Sequence, residues 1–126
     1  MNIVVPVSIG ELVDKITILR IKSRRIEDQG KLKNIRLELD SLLQVCREQG
    51  IDASSRLALD LEAINEELWD IEDRIRDKER SKTFDADFIA LARSVYVQND
   101  KRFAVKSQIN TASGSTLKEE KSYKPY

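Results

Sequence analysis

The residues best suited to chemistry lie on the last of four predicted helices, where polar side chains occupy positions that should face the interior. The apolar stripe of this helix starts with Phe88, Ala92 and Val95, and the same spacing continues into polar residues. These are Asn99, Arg102, Lys106 and Asn110. In a helix they fall within about 80° of arc, centred on the apolar face. Two cations there are unfavourable unless each meets a carboxylate, several acceptors or an anionic ligand.

Two other predicted helices supply polar residues that could join this set. Arg20 lies within the apolar arc of the first helix, and the third helix carries a polar stripe beside its leucine seam. Arginine and asparagine next to aromatic rings can line a cavity for a phosphate- or carboxylate-bearing molecule. The candidate ligand-binding residues are Arg20, Asn65, Trp69, Glu72, Arg76, Tyr96, Asn99, Asp100, Arg102, Lys106 and Asn110.

Two interpretations of this polar set stay open. In the first, Arg20, Arg102 and Lys106 hold an anionic ligand, which the two asparagines orient, with Glu72 or Asp100 as the acid or base. In the second, the same cations belong to an internal ion network, and Glu72 or Asp100 neutralises them. Glu72 and Asp100 are acid or base candidates in the first interpretation alone, and the sequence does not identify a catalytic residue.

Metal and cofactor chemistry is not expected. Histidine is absent and there is one cysteine, which excludes disulfide frameworks and the usual zinc sites. Cys46 continues the apolar seam of the second helix, so we interpret it as a buried structural thiol. An acidic run on the third helix is predicted to lie on the outer face, away from any site in the bundle. It comprises Glu62, Glu66, Asp70, Asp73 and Asp77.

Composition favours one small helical domain. The chain has 126 residues, 40% of them apolar and 35% charged, with only four glycines and two prolines, which favours long helices over many turns. Lysine plus arginine and aspartate plus glutamate number 22 each, so no nucleic-acid partner is expected. No apolar run approaches the roughly 20 residues of a membrane span, and the start does not look like a signal peptide. We therefore expect a cytoplasmic protein.

Charge is unevenly distributed along the chain although it sums to zero. Residues 15–36 carry eight basic and two acidic residues, whereas residues 60–73 carry seven acidic residues and no basic one. Residues 101–126 are again mainly basic. Opposite charges on neighbouring helices favour either pairing within the chain or an antiparallel dimer.

Helix signals divide the chain into four segments. The first helix is predicted from Ile9 to Asp28, with Ser8 and Glu11 as a capping box and Gly30 as its breaker. The second runs through Leu32–Cys46 to a stop at Gly50, and a cap-rich loop at 52–55 precedes the third. The apolar stripe of the third helix extends from Leu57 to Ile75, and the helix is predicted to end near a break at 81–84. The fourth starts after Asp85 and reaches about Ile109.

These segments predict an all-α fold, an antiparallel bundle of about four helices with a short extended N-terminus and a C-terminal tail. The bundle domain spans residues 1–110, and residues 111–126 form a tail that could dock on it. Residues 2–7 could pair as an edge strand or lie against the bundle. The third helix shows heptad spacing typical of coiled coils, so a long hairpin that dimerises is the rival architecture.

Several stretches of the chain resemble a small, mostly bacterial family of unknown function. They are IGELVDKITIL (9–19), INEELWDIEDRIRDKE (64–79), FIALARSVYVQNDKR (88–102), KSQIN (106–110) and EEKSY (119–123). The resemblance implies a helical single domain and no established activity, cofactor or catalytic residue. Its EEKSY stretch implies a defined place for the tail, over the polar face.

Two function classes follow from these observations. The first is a non-catalytic binding or adaptor module that self-associates or presents its charged faces to a protein partner. The alternative is an enzyme or sensor for an anionic small molecule held between the first, third and fourth helices.

Overall fold

The computed structural model covers residues 1–126 and contains four α-helices and no strand. The helices are α1 (Ile9–Arg25), α2 (Gln29–Gln49), α3 (Arg56–Arg80) and α4 (Ala86–Ser113). The predicted all-α class and the number of helices are confirmed. Residues 1–7 are exposed and belong to no helix or strand, so the possible edge strand does not form, and of these residues Val7 lines a groove of the bundle. No helix combines the length and apolarity needed to cross a membrane.

α1 is the central helix of the molecule. It contacts each of the other three helices, α3 also contacts α4, and α2 contacts no helix except α1. The pairing directions follow from side-chain contacts. The end of α1 packs on the start of α2 through Leu19 and Leu32, so these helices are antiparallel. Arg25 near the end of α1 pairs with Asp70 far along α3, so α1 and α3 run in the same direction.

The hydrophobic core consists of three clusters, each of which includes one residue of α1. Val13 packs with Ala58, Leu61 and Ile109, which joins α1 to α3 and α4. Ile16 packs with Cys46 and Ala53, and Leu19 packs with Leu32 and Ile35. The spacing of these α1 residues, every third position, places them on one stripe of the helix.

Helix ends agree with several predicted signals. Ser8 and Asp85 cap α1 and α4 by accepting hydrogen bonds from backbone amides three residues later, as predicted, and Ser55 from the cap-rich loop caps α3 in the same way. Gly50 ends α2 in the left-handed conformation, with φ of +68°.

Two predicted helix ends are wrong. α1 ends at Arg25 rather than Asp28, because Ile26 leaves helical geometry and packs on the Leu19 cluster. Asp28 instead caps α2, so Gly30 lies inside a helix and breaks none. α4 continues past Ile109 to Ser113, so residues 111–113 belong to the helix.

The prediction that the acidic run of α3 lies on the outer face is wrong for two of its residues. Glu62 and Glu66 are half-buried against α1, where they pair with Arg24 and Arg25 at 2.7–3.4 Å. The basic end of α1 runs beside them, and these ion pairs offset the loss of water around the carboxylates. The opposite charges of these two segments therefore pair within the chain.

Candidate functional site

The polar stripe of α4 faces the start of α1. Lys106 and Asn110 are 5% and 2% exposed, while Asn99 and Arg102 are half-buried. The inward orientation expected from helical spacing is therefore observed. In the apolar part of the predicted stripe Ala92 is wrong, because it is exposed and Leu91, one position earlier, is buried instead.

Asp14 of α1 is the centre of this polar interface. Its side chain is 2% exposed and accepts two hydrogen bonds from Arg102, from Nε to Oδ1 at 3.0 Å and from a terminal nitrogen to Oδ2 at 2.5 Å. The amide of Asn65 on α3 donates to Asp14 Oδ1 and to Thr17 Oγ1, both at 2.9 Å. Asp14 thus joins α1, α3 and α4 through one carboxylate. Its hydrogen bonds also raise the pKa of Arg102.

Lys106 is held by two further carboxylates. Its Nζ donates to Glu11 at 2.8 Å and to Glu119 at 3.0 Å, and it lies 4.0 Å from Asp14. Burial alone would lower the pKa of this ammonium, but the hydrogen bonds to Glu11 and Glu119 outweigh it and leave the pKa raised. Lys106 is therefore a protonated structural cation at neutral pH.

Two of the three cations predicted for an internal network, Arg102 and Lys106, form one, but with different partners. Glu72 pairs with Arg76 at 3.6 Å and Asp100 lies near Tyr126, and neither carboxylate forms an ion pair with Arg102 or Lys106. Arg20 lies elsewhere, where it donates to the carbonyl of Ala53 at 2.7 Å and pairs with Glu62 at 3.6 Å instead of with Glu72 or Asp100.

Asn110 accepts a hydrogen bond from the backbone at the start of α1. Its Oδ1 accepts from the amide of Gly10 at 2.7 Å, and Ser115 Oγ accepts from the amide of Ile9 at 3.1 Å. Ser8 accepts from the amide of Glu11. The predicted capping box is therefore only half formed, because the Glu11 carboxylate turns to Lys106 instead of back to Ser8. Ser115 therefore helps to cap α1.

Residues 115–126, which we call the C-terminal strap, run back along α4. Glu119 pairs with Lys106, and the Lys121 ammonium lies 5.2 Å from the centre of the Phe103 ring. The Tyr126 ring is 4.9 Å from that of Tyr96 in an edge-to-face arrangement. A hydrogen bond to Asp100 raises the pKa of Tyr126.

A separate groove of about 490 Å³ lies between α1, α3 and α4. Its apolar lining includes Ile18, Leu68 and Val95. Six of the candidate ligand-binding residues also line it: Asn65, Trp69, Glu72, Arg76, Asn99 and Arg102. We call it the Trp69 groove. The other five candidates, Arg20, Tyr96, Asp100, Lys106 and Asn110, lie outside it.

The Trp69 groove combines an aromatic ring with charges of both signs. Glu72 and Asp73 line it together with Arg76, whose side chain is 72% exposed. Arg102 has its Nε and one terminal nitrogen occupied by Asp14. No group of three acidic, cysteine or histidine side chains is arranged to hold a metal ion. The groove can therefore offer stacking and hydrogen bonds to a polar segment, in a mixed electrostatic field.

Sequence reasoning missed the carboxylates that neutralise the buried cations. Gly10, Asp14, Thr17 and Ile21 are all buried, and they follow one another at intervals of four, three and four residues. This spacing marks a second inward stripe on α1 that could have revealed Asp14. Glu119 carries no comparable signal, because its position depends on how the strap folds back.

Comparison with known proteins identifies the family of this chain. Residues 3–126 match the family described as "Family of unknown function (DUF6165)", and the chain belongs to it. No curated protein and no solved structure matches the chain.

Proposed function

We propose that the protein is a non-catalytic binding module that self-associates and holds a protein partner in the Trp69 groove. The observation that carries this proposal is the neutralisation of Arg102 and Lys106 by carboxylates of the same chain. Buried cations that already have partners need no ligand and gain little from one. A binding role for the groove depends instead on its exposed residues.

The lining of the groove suits a protein segment. Trp69 supplies a large aromatic contact area, and aromatic and arginine residues are enriched where proteins bind each other. Glu72, Asp73 and Arg76 place both signs of charge along the rim, which favours a partner with complementary charges.

The partner proposal is tested with immobilised protein and three baits. We expect one protein to be retained from a lysate by the wild type and by Arg74→Glu, and lost by Arg76→Glu. Arg74 is the matched control, because it is exposed on the same helix but does not line the Trp69 groove. Trp69 is the only tryptophan of this chain, so the fluorescence emission of Trp69 should also change when the purified partner binds. Retention by Arg76→Glu would contradict the proposal.

A second candidate function is an enzyme or sensor for a phosphate- or carboxylate-bearing small molecule. It is favoured by one observation, that Arg76, Arg102 and Asn99 line a groove of about 490 Å³, a volume suited to a small ligand. The rim carboxylates Glu72 and Asp73 disfavour an anion, which places this candidate second.

The small-molecule candidate is tested by thermal unfolding with phosphates, nucleotides, sugar phosphates and dicarboxylates. A ligand of the native state must raise the melting temperature. A rise with one anion class that is lost in Arg76→Met and kept in Arg74→Met would favour the small molecule over the protein partner. Arg76 is a better probe than Arg102, whose removal would leave Asp14 buried without its main partner.

A further inference from the structure

An exposed apolar segment precedes α1. We call residues 1–7 the N-terminal arm. It belongs to no helix or strand, and the exposed fractions of Ile3, Val4, Val5 and Val7 are 79%, 95%, 60% and 49%. The arm has no charged side chain, although 35% of the residues in the protein are charged. A contiguous apolar surface of this kind is typical of a segment that binds another surface.

A mainly apolar groove lies directly beside the arm. It has a volume of about 550 Å³ and is formed by the start of α1, the end of α2, the start of α3 and the end of α4. Its apolar lining includes Leu12, Val45, Ile51 and Leu57, and Asp52 is the only charged residue that lines it. We call it the end groove.

We propose that two copies of this chain exchange their arms, so that Ile3, Val4 and Val5 of each copy fill the end groove of the other. This inference rests on the self-association in the proposed function and specifies its interface. The arm and the end groove match in chemistry, because both are apolar and nearly free of charge. Asp52 is the one charged residue of the groove, and the rest of the contact is uncharged, as expected for the centre of a stable interface.

The geometry of the arm favours a second copy over the groove of its own chain. Val7 and Ser8 themselves line the end groove, so the arm leaves from its rim. Ser8 is fixed as the cap of α1 with extended backbone, at φ −69° and ψ 156°. Pro6 favours extended geometry at Val5 and fixes its own φ, which stiffens the arm where it leaves the groove and favours an arm that projects away from its own chain.

The exchange has the symmetry of a closed dimer. Each copy carries one arm and one groove at the same end of the molecule, so two arms can enter two grooves about a two-fold axis. Such an arrangement buries the arm and the end groove of both copies, so neither apolar surface remains exposed to bind a third copy.

The test uses the full chain in sedimentation equilibrium across a range of concentrations. We expect a wild-type dimer, and a dissociation constant raised by more than about tenfold in Val4→Asp and in Val45→Glu. Val4 and Val45 are both exposed, so these variants should keep the fold, which circular dichroism would check. Leu37→Asp is the matched control, because Leu37 is exposed on α2 outside the end groove and should leave the dimer intact.

A mixing experiment separates arm exchange from other dimers. Val4→Asp keeps an intact groove and Val45→Glu keeps an intact arm, so an equimolar mixture can form one of the two arm contacts. We expect the mixture to recover part of the dimer that each variant lacks alone.

Each other outcome overturns a defined part of the argument. A wild-type dimer that tolerates both substitutions would refute arm exchange and leave self-association standing. A monomeric wild type would refute both. In that case, slow hydrogen exchange of the arm amides that becomes fast in Val45→Glu would show that the arm occupies the groove of its own chain.

Discussion

Asp14 joins three helices through a single buried carboxylate. Its carboxylate is almost fully removed from water and is surrounded by donors from Arg102 and Asn65, with Lys106 4.0 Å away. Moving a carboxylate out of water costs several kcal/mol unless such partners are in place. The same donors lose their main acceptor if Asp14 is changed, so the three helices that meet here depend on one negative charge.

Replacing Asp14 with asparagine should therefore destabilise the protein strongly. The variant keeps the size of the side chain but leaves Arg102 without a carboxylate and weakens the field around Lys106. We expect a loss of about 2–4 kcal/mol in the free energy of unfolding, moderated because Arg102 retains some access to water. Urea denaturation followed by circular dichroism measures it.

Lys15 provides the control for that measurement. It is the next residue of α1, and its ion pair with Glu38 is exposed, with side-chain exposures of 57% and 46%. Lys15→Gln should cost less than about 1 kcal/mol, as exposed ion pairs do. Equal losses in Asp14→Asn and Lys15→Gln would show that burial of the network adds nothing to its strength.

Lys106 should make stability depend on pH at the alkaline end. Its pKa is raised above the ordinary 10.5 in the folded protein. The folded state therefore binds its proton more tightly than the unfolded state. The resulting stabilisation is complete below the unfolded pKa and is lost as pH rises through the folded one.

The stability difference between wild type and Lys106→Met should thus be constant from about pH 7 to 10 and narrow above that range. Chemical denaturation in buffers up to about pH 11.5 gives this difference at each pH. Lys101→Met, which removes an exposed lysine of α4, should differ little from wild type throughout. If the stability difference between wild type and Lys106→Met increased with pH, Lys106 would not be stabilised as a cation.

Sequence reasoning found the buried cations but not the acids that neutralise them. Helical spacing places Arg102 and Lys106 inward from within α4 alone, so their position needed no knowledge of the other helices. Their partners depend on the rotation of α1 against α4, which brings Asp14 and Glu11 to the interface instead of Glu72. Contacts of that kind are set by packing between elements, and one helix cannot specify them.

At the scale of elements, the approach of α1 to α4 is controlled by Gly10. A Cβ built on Gly10 would lie 2.7 Å from the backbone oxygen of Lys106 and 2.9 Å from Asn110 Oδ1. The glycine allows the start of α1 to reach Asn110, which accepts its amide hydrogen. The absence of a side chain thus positions the residues that anchor α1 on α4.

Gly10→Ala should push these helices apart. Because the nearest obstacle is backbone rather than a flexible side chain, we expect a loss of about 1–3 kcal/mol in unfolding free energy. Gly30→Ala is the matched control within α2, where the nearest atom is the Asp28 carboxylate oxygen at 3.3 Å. Because alanine has a higher helix propensity than glycine, the unfolding free energy of Gly30→Ala should stay within about 1 kcal/mol of wild type. If Gly10→Ala were equally harmless, the close approach would have no energetic role.

The helix ends show which element boundaries a sequence can specify. Ser8, Asp85 and Gly50 act through local hydrogen bonds and a local φ, and these ends were predicted correctly. The end of α1 was wrong because Ile26 leaves the helix to join an apolar cluster. A boundary set by distant packing lies beyond what capping signals can indicate.

At the scale of the whole molecule, the helices do not contribute equally to the core. α1 touches all of the others, whereas α2 is held among the helices by α1 alone. The number of helices was predicted from their apolar stripes, but this central role of α1 was not, because those stripes do not state which helix each faces. The structure therefore divides into a packed set of α1, α3 and α4, and an α2 attached to one side.

This division predicts that α2 separates before the rest of the protein unfolds. Native-state hydrogen exchange should give the amides of α2 a lower opening free energy than those around Leu61 in α3, because α2 breaks contacts with a single helix. Leu32→Ala should lower the opening free energy of α2 by about 2–3 kcal/mol, with little effect on α3. Leu61→Ala, at the junction of α1, α3 and α4, should instead lower all opening free energies together. If α2 and α3 exchanged at one common free energy in every variant, the four helices would form a single cooperative unit despite the one-sided attachment of α2.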